Sequence, residues 1–229
     1  MQEREGVIKF DLRFLPAPPL PFSKLRELNA WRAILNRLDL IGQTADRYDG
    51  LGFGNLSQRL SPSQHFAGSP APLHGRGTCL PSPFVITGTQ TGHLRDLDQH
   101  HYAIVTAADV QANHIAAHGP IAPSSESLTH AMLYCVDEAV QFIFHVHSPQ
   151  IWRNAARLGM PVTDPGVAYG TPAMAEEVLR LSTHTAAWRQ GIFAMGGHED
   201  GIIAFGKTAE ETGIILLRNL AQAMVLASA

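Results

Sequence analysis

The segment Phe142-Ile143-Phe144-His145-Val146-His147-Ser148 places two histidines one residue apart in an apolar run. On a strand, successive side chains point to opposite faces, so His145 and His147 share one side while Phe144 and Val146 take the other. Same-side neighbours lie about 6–7 Å apart at the backbone. Imidazoles at that spacing can converge on one ion, and zinc binds histidine nitrogen at about 2.0–2.1 Å. In a chain with 12 histidines among 229 residues the pair alone reads equally well as surface or core histidines. Its weight comes from what accompanies it.

Pro123-Ser124-Ser125-Glu126-Ser127-Leu128-Thr129-His130 puts two serines and an acid at the start of an apolar helix. Such a start caps the helix, and its free N–H groups and positive dipole end can hold an anion. In the functional reading Glu126 is the general acid/base and the serines belong to an anion cradle; in the plain reading this is an ordinary cap. Gly52-Phe53-Gly54-Asn55-Leu56-Ser57-Gln58-Arg59 sets small and amide residues beside a hydroxyl and a guanidinium, suited to close approach by phosphate or carboxylate, or merely to a turn. His114-Ile115-Ala116-Ala117-His118 has two histidines at helical i, i+4 spacing, which suggests a metallohydrolase. It lacks the glutamate that follows the first histidine of His-Glu-x-x-His sites, and Gly119-Pro120 interrupts any helix.

These residues need elements to hold them. Leu15 to Pro21 is proline-rich and reads as an extended segment, so residues 1–22 are expected to form an N-terminal arm and residues 23–229 the folded domain. Ser23 precedes Lys24 to Leu40, where Leu28, Trp31, Leu35 and Leu38 recur at helical spacing, predicting an N-capped amphipathic helix. Ser61 to Pro83 is rich in Ser, Pro, Gly and His and reads as a long surface excursion. Short strands are expected at Phe84 to Thr87, Tyr102 to Thr106 and Gln141 to Ser148. Helices are expected at Glu126 to Cys135, Ala173 to Leu181 and Glu210 to Ala227, the last with Ile214, Leu217, Leu220 and Met224 on one face. Strands and helices intermixed without strict alternation predict a three-layer α/β fold around a largely antiparallel sheet.

Composition limits the partners. A net charge of −3 gives no basic field for a phosphate backbone, so the expected partner is a small molecule and not nucleic acid. Neither Cys79 nor Cys135 has a second cysteine at metal-ligand spacing, which gives little support for a disulfide framework or a thiolate zinc site and fits a reducing compartment with reduced cysteines. Met1 to Phe10 carries no hydrophobic run resembling a secretion signal, and no segment is long enough to span a membrane, so the expectation is a soluble cytoplasmic protein.

Taken in order, Gly54-Asn55-Leu56-Ser57-Gln58-Arg59, Val85-Ile86-Thr87-Gly88-Thr89, Ser124-Ser125-Glu126, His145-Val146-His147 and a histidine near Gly201-Ile202-Ile203-Ala204-Phe205-Gly206 resemble the class II aldolase/adducin family, from about Lys24 to the C-terminus. The resemblance implies an α/β/α fold with a central, mainly antiparallel sheet. It also implies a zinc ion, or manganese in some members, held by three histidines, and a homotetramer with sites near subunit contacts. Carried onto this sequence, it makes Glu126 the acid/base group and Gly54, Asn55, Thr89, Ser124 and Ser125 the anion site. His145 and His147 become metal ligands.

Two departures from the family's pattern stand out. The third ligand of the aldolases directly precedes a strand glycine, whereas here His198-Glu199-Asp200-Gly201 inserts two acids. His198 matches its two partners in chemistry, and Asp200 is its rival. The fuculose-phosphate aldolase branch uses a tyrosine as proton donor; Gly166 falls at that place here, with Tyr169 approaching from a different angle. The activity implied is metal-dependent carbon–carbon cleavage of a small hydroxy-carbonyl or sugar-phosphate-like substrate through a metal-stabilised enediolate. Decarboxylation and epimerisation use the same intermediate, and an adducin-like interaction module without catalysis is a further alternative. Retention of the metal histidines favours an enzyme.

Overall fold

A computed structural model of the chain describes residues 6–61 and 82–228. Eight strands form one sheet: β1 (Asp11–Pro16), β2 (Asn55–Arg59), β3 (Phe84–Thr87), β4 (Tyr102–Asp109), β5 (His114–Gly119), β6 (Phe142–His147), β7 (Ile192–Ala194) and β8 (Gly201–Gly206). Their spatial order is β1-β5-β4-β3-β2-β6-β8-β7. Every neighbouring pair is antiparallel except β1 with β5. The expected mainly antiparallel α/β arrangement is therefore present.

The pleat of β6 divides the core in two. Phe142, Phe144 and Val146 pack in one cluster with residues of α1 (Arg26–Arg37), α3 (Pro149–Arg153) and α6 (Ala209–Ala227). Ile143, one residue out of phase, joins the other cluster with residues of α2 (Ser127–Val136), α4 (Pro172–His184) and α5 (Ala187–Gln190). A fully buried Leu, Ile or Phe contributes about 1.5–3 kcal/mol, so a β6 buried on both faces is held hard from two sides. The two histidines share the Ile143 face, toward α2.

Several elements differ from the sequence reading. The proline-rich segment is extended, as its fixed φ angles require, but Asp11–Pro16 is a sheet edge strand and not a free arm. A 3₁₀ turn over Phe22–Lys24 contains Ser23, and α1 begins at Arg26 with no side-chain cap. The strand expected to end at Thr106 bulges between Val105 and Ala107 and runs on to Asp109. Asn55–Arg59 and His114–Gly119 are strands. On β5, His114 and His118 lie roughly 13 Å apart along the backbone, which removes the helical spacing behind the metallohydrolase reading. The inward face of α6 is Thr212, Gly213, Leu216, Asn219 and Ala223, while Ile214 and Met224 are exposed. The cause is Trp31 of α1, whose ring seats where a Cβ on Gly213 would fall 2.1 Å from it; the small face must turn inward to admit the indole.

Cys135 on α2 is disulfide-bonded, which revises the expectation of reduced cysteines. Cys79 and nearly all of the Ser61 to Pro83 excursion lie outside the described residues. Among the described residues, no helix is long and apolar enough to cross a membrane.

Candidate metal centre

Strand β6 presents His145 and His147 side by side because strand geometry repeats every second residue. The third histidine comes from the turn joining β7 to β8. That turn closes through His198 N donating to Met195 O and Gly201 N donating to His198 O. The two extra acids are absorbed by Asp200 adopting φ of +62°, a conformation to which aspartate is among the better suited non-glycine residues. One ligand-capable atom from each of His145, His147 and His198 lies within 4.8 Å of the others, and all three residues are buried. Nε2 of His145 and Nε2 of His147 are 3.2 Å apart. Two nitrogens each about 2.0–2.1 Å from a tetrahedral zinc would be about 3.3 Å apart, so this separation suits a shared ion. Asp200 turns elsewhere: its Oδ2 accepts the Tyr48 hydroxyl at 2.7 Å.

The surroundings aim the rings. His145 Nδ1 lies 3.2 Å from the Ile202 carbonyl on β8. A carbonyl only accepts, so Nδ1 carries the proton and Nε2 keeps its lone pair for a ligand role. Tyr48 meets His147 edge-on at 4.6 Å between centroids, and Tyr169 lies against His198 at 4.5 Å. Burial drives the His147 pKa well below its ordinary value, with His198, His145 and Arg47 adding to the effect. Neutral imidazole is the form that binds a metal.

Glu126 occupies the N-cap position of α2 but makes no capping hydrogen bond. Its Oε1 lies 3.3 Å from His198 Nδ1 and 4.0 Å from His145 Nε2. Burial pushes its carboxyl up, and the imidazoles of His145, His198 and His130 bring it down only where they carry charge. A charged carboxylate fully enclosed beside three histidines is costly unless cationic character is present to meet it, which is what a bound divalent ion would supply. The donor set therefore fits a metal.

Gly54, Asn55, Thr89, Ser124 and Ser125, drawn from three separate stretches of sequence, line one small cavity of about 20 Å³ together with Gly6. Gly54 has φ of +77°, and a Cβ there would meet Ile41 at 2.7 Å, so only glycine fits. The Asn55 Oδ1 atom is buried without a hydrogen-bond partner. Asn55 pairs in register with His145, and Ser125 adjoins Glu126, so pocket and histidine cluster are contiguous. On the other side, a cavity of about 550 Å³ is bounded by Tyr48, Asp49, Trp152, His198 and Glu199.

Sequence reasoning did not find Tyr48, whose φ of +49° beside Asp49 at +57° had only the Asp49-Gly50 turn pair as a signal. It also missed the Ser57 hydroxyl bridging His130 Nδ1 at 2.7 Å and Tyr134 at 2.8 Å. Tyr169 is buried, and its hydroxyl meets the backbone of Val7.

Three histidines that could hold a metal ion, with a carboxylate beside them, lie at the end of a mainly antiparallel sheet between two helical layers, an α/β/α arrangement. The chain belongs to the class II aldolase and adducin N-terminal domain family, whose model matches residues 44–224. No curated protein sequence matches it. Among solved structures it is similar to a sugar-phosphate aldolase from Thermotoga maritima, with TM-score 0.65 and 17% identity over 90% of this chain and 94% of that one. YgbL from Klebsiella pneumoniae, described as a candidate aldolase, epimerase or decarboxylase, gives TM-score 0.61 and 17% identity over 91% of each chain. L-fuculose-1-phosphate aldolase from Thermus thermophilus gives 0.56 and 17% identity over 89% and 92%. These similarities are of fold.

Proposed function

We propose that this protein is a metal-dependent carbon–carbon lyase of aldolase type, acting on a small hydroxy-carbonyl or sugar-phosphate-like substrate. The observation that carries the reading is the buried His145, His147 and His198 cluster with the Glu126 carboxylate 3.3 Å from His198. A divalent cation held there, Zn²⁺ by ligand chemistry with Mn²⁺ as alternative, would polarise a substrate carbonyl and stabilise negative charge developing as the carbon–carbon bond breaks. Glu126, held as a carboxylate, takes a proton from the substrate and returns it at the end of cleavage. Gly54, Asn55, Thr89, Ser124 and Ser125 hold the substrate's anionic group through backbone N–H groups, hydroxyls and the Asn55 amide. The cavity of about 550 Å³ gives the remainder of the substrate room beside His198. The same electron-rich intermediate also serves epimerisation by cleavage and rejoining, or decarboxylation with loss of carbon dioxide, a second reading favoured by the similarity to YgbL.

The test is metal analysis of purified protein, followed by a screen of aldol and keto-acid substrates for carbon–carbon cleavage. Bound metal lost in a His145→Ala, His147→Ala double variant, together with metal-dependent cleavage, is the expected result. Full metal occupancy in the double variant would sink the proposal.

We also propose a homotetramer. Exposed Ile214, Met224 and Val225 on α6 and Leu179 on α4 are apolar surface of the kind subunits cover.

A further inference from the structure

Residues 6–9, which the proposed chemistry does not use, reach the glycine and serine cavity through Gly6. Gly6 lines it alongside Asn55, Thr89, Ser124 and Ser125. Its carbonyl accepts from Gln90 Nε2 at 3.3 Å, and Gln90 Oε1 accepts from Gly52 N at 3.1 Å. Gly6 has φ of +66°, and a Cβ there would fall 2.0 Å from Gln90 Nε2, so this close approach of the backbone needs glycine. A few residues on, Val7 N donates to the Tyr169 hydroxyl, and Lys9 Nζ lies 3.5 Å from the Tyr169 ring centroid and donates to the Tyr169 carbonyl. Tyr169 itself lies against His198. The segment is thus fastened at one end on the cavity and at the other on the ring that supports the histidine cluster.

With the segment in place, about 20 Å³ remains, room for about one water and none for a phosphoryl group with its three outer oxygens. Asn55 is in a central strand and Ser124 leads into α2, whereas Gly6 itself meets the cavity through a hydrogen bond to Gln90, with Ile8 packed on the core and Lys9 bonded to Asn113 and Tyr169 behind it.

We propose that residues 6–9 form a strap that decides which anions enter the cavity: in place it excludes phosphate, and a phosphate-bearing substrate must lift Gly6 from Gln90. This rests on the anion-binding role given to the cavity above. Because the strap is anchored on Tyr169, its displacement also loosens the packing on His198.

The test measures the affinity of inorganic phosphate for the full-length Zn²⁺-loaded protein by titration calorimetry, with amide exchange at residues 6–9 in parallel. Gly6→Val cannot keep a positive φ and so expels the strap; phosphate should bind about tenfold tighter, equivalent to about 1.4 kcal/mol. Tyr169→Phe removes the acceptor for Val7 N and should shift affinity the same way by less. Ser125→Ala should weaken binding, which places the phosphate in the cavity and not on the metal. In the parent protein, phosphate should speed exchange at residues 6–9. Equal affinities for parent, Gly6→Val and Tyr169→Phe, with Ser125→Ala still weakened, would overturn the strap alone. Absence of phosphate binding in every variant would overturn the anion-pocket reading and the strap with it.

Discussion

Glu126 forgoes the capping role that its position at the head of α2 offers, and its carboxylate faces the histidines instead. That choice makes a sharp expectation. Glu126→Gln removes the proton acceptor while leaving three imidazoles for the ion, so turnover should fall about 10²–10⁴-fold with metal content retained. A residue acting only on the helix dipole would cost about 0.3–1 kcal/mol of stability and leave turnover unchanged. Turnover, metal content and melting temperature measured on one preparation separate the two. The placement of His145 beside His147 was readable from their alternation, whereas the Ile202 carbonyl that fixes its tautomer was not; that bond depends on which strand lies beside β6, a fact set by the whole sheet.

At the scale of elements, the β2 entry turns on Gly54. Gly54→Ala would force a side chain into φ of +77° and against Ile41. A loss of about 2–4 kcal/mol is expected, combining the backbone penalty with overpacking, and a urea unfolding midpoint unchanged from the parent would contradict it. Periodicity made β3, β6 and most helices legible. It failed for β2 and β5, because glycines and amides at one and two histidines at the other carried stronger local signals of turn and helix than of strand. It failed on α6 for a different reason: its apolar stripe is more hydrophobic than the face it buries, and only the indole from α1 explains the inversion. That Gly54, Asn55, Thr89, Ser124 and Ser125 line one cavity was legible through the family's ordered motifs. Gly6 and Lys9 were not, because they meet Tyr169 and Gln90 across separations such as 162 residues, from Val7 to Tyr169.

For the whole molecule, buried neutral histidines set a pH limit. Burial, then His145, lowers the His130 pKa to about 3, and His147 is also well below the ordinary 6.5. The unfolded chain binds protons below about pH 6.5 that the folded chain refuses, so stability is greatest above that pH and declines as pH falls toward the folded values. Each such imidazole should cost about 2 kcal/mol between pH 6.5 and 5. Urea unfolding of the metal-free protein at pH 7 and 5 checks this, and His130→Gln should decline less steeply than the parent. Identical stability at both pH values would contradict the burial of these rings as neutral groups. The solution mass at micromolar concentration tests the tetramer, for which a monomeric value is the adverse outcome.

The lone parallel pairing of the sheet bears on how the chain is made. Asp11 in β1 meets His114 in β5 across 103 residues, so β1 leaves the ribosome without this partner until β5 is synthesised. At about 5–20 residues per second it waits roughly 5–20 s. During that interval the edges of β1 itself stay open to other chains, and Pro16 with the prolines that follow it, which cannot donate to a foreign ladder, limit mispairing. Residues 6–9 are continuous with β1, so Gly6 is fixed at the small cavity only once β5 has been made and the edge has closed.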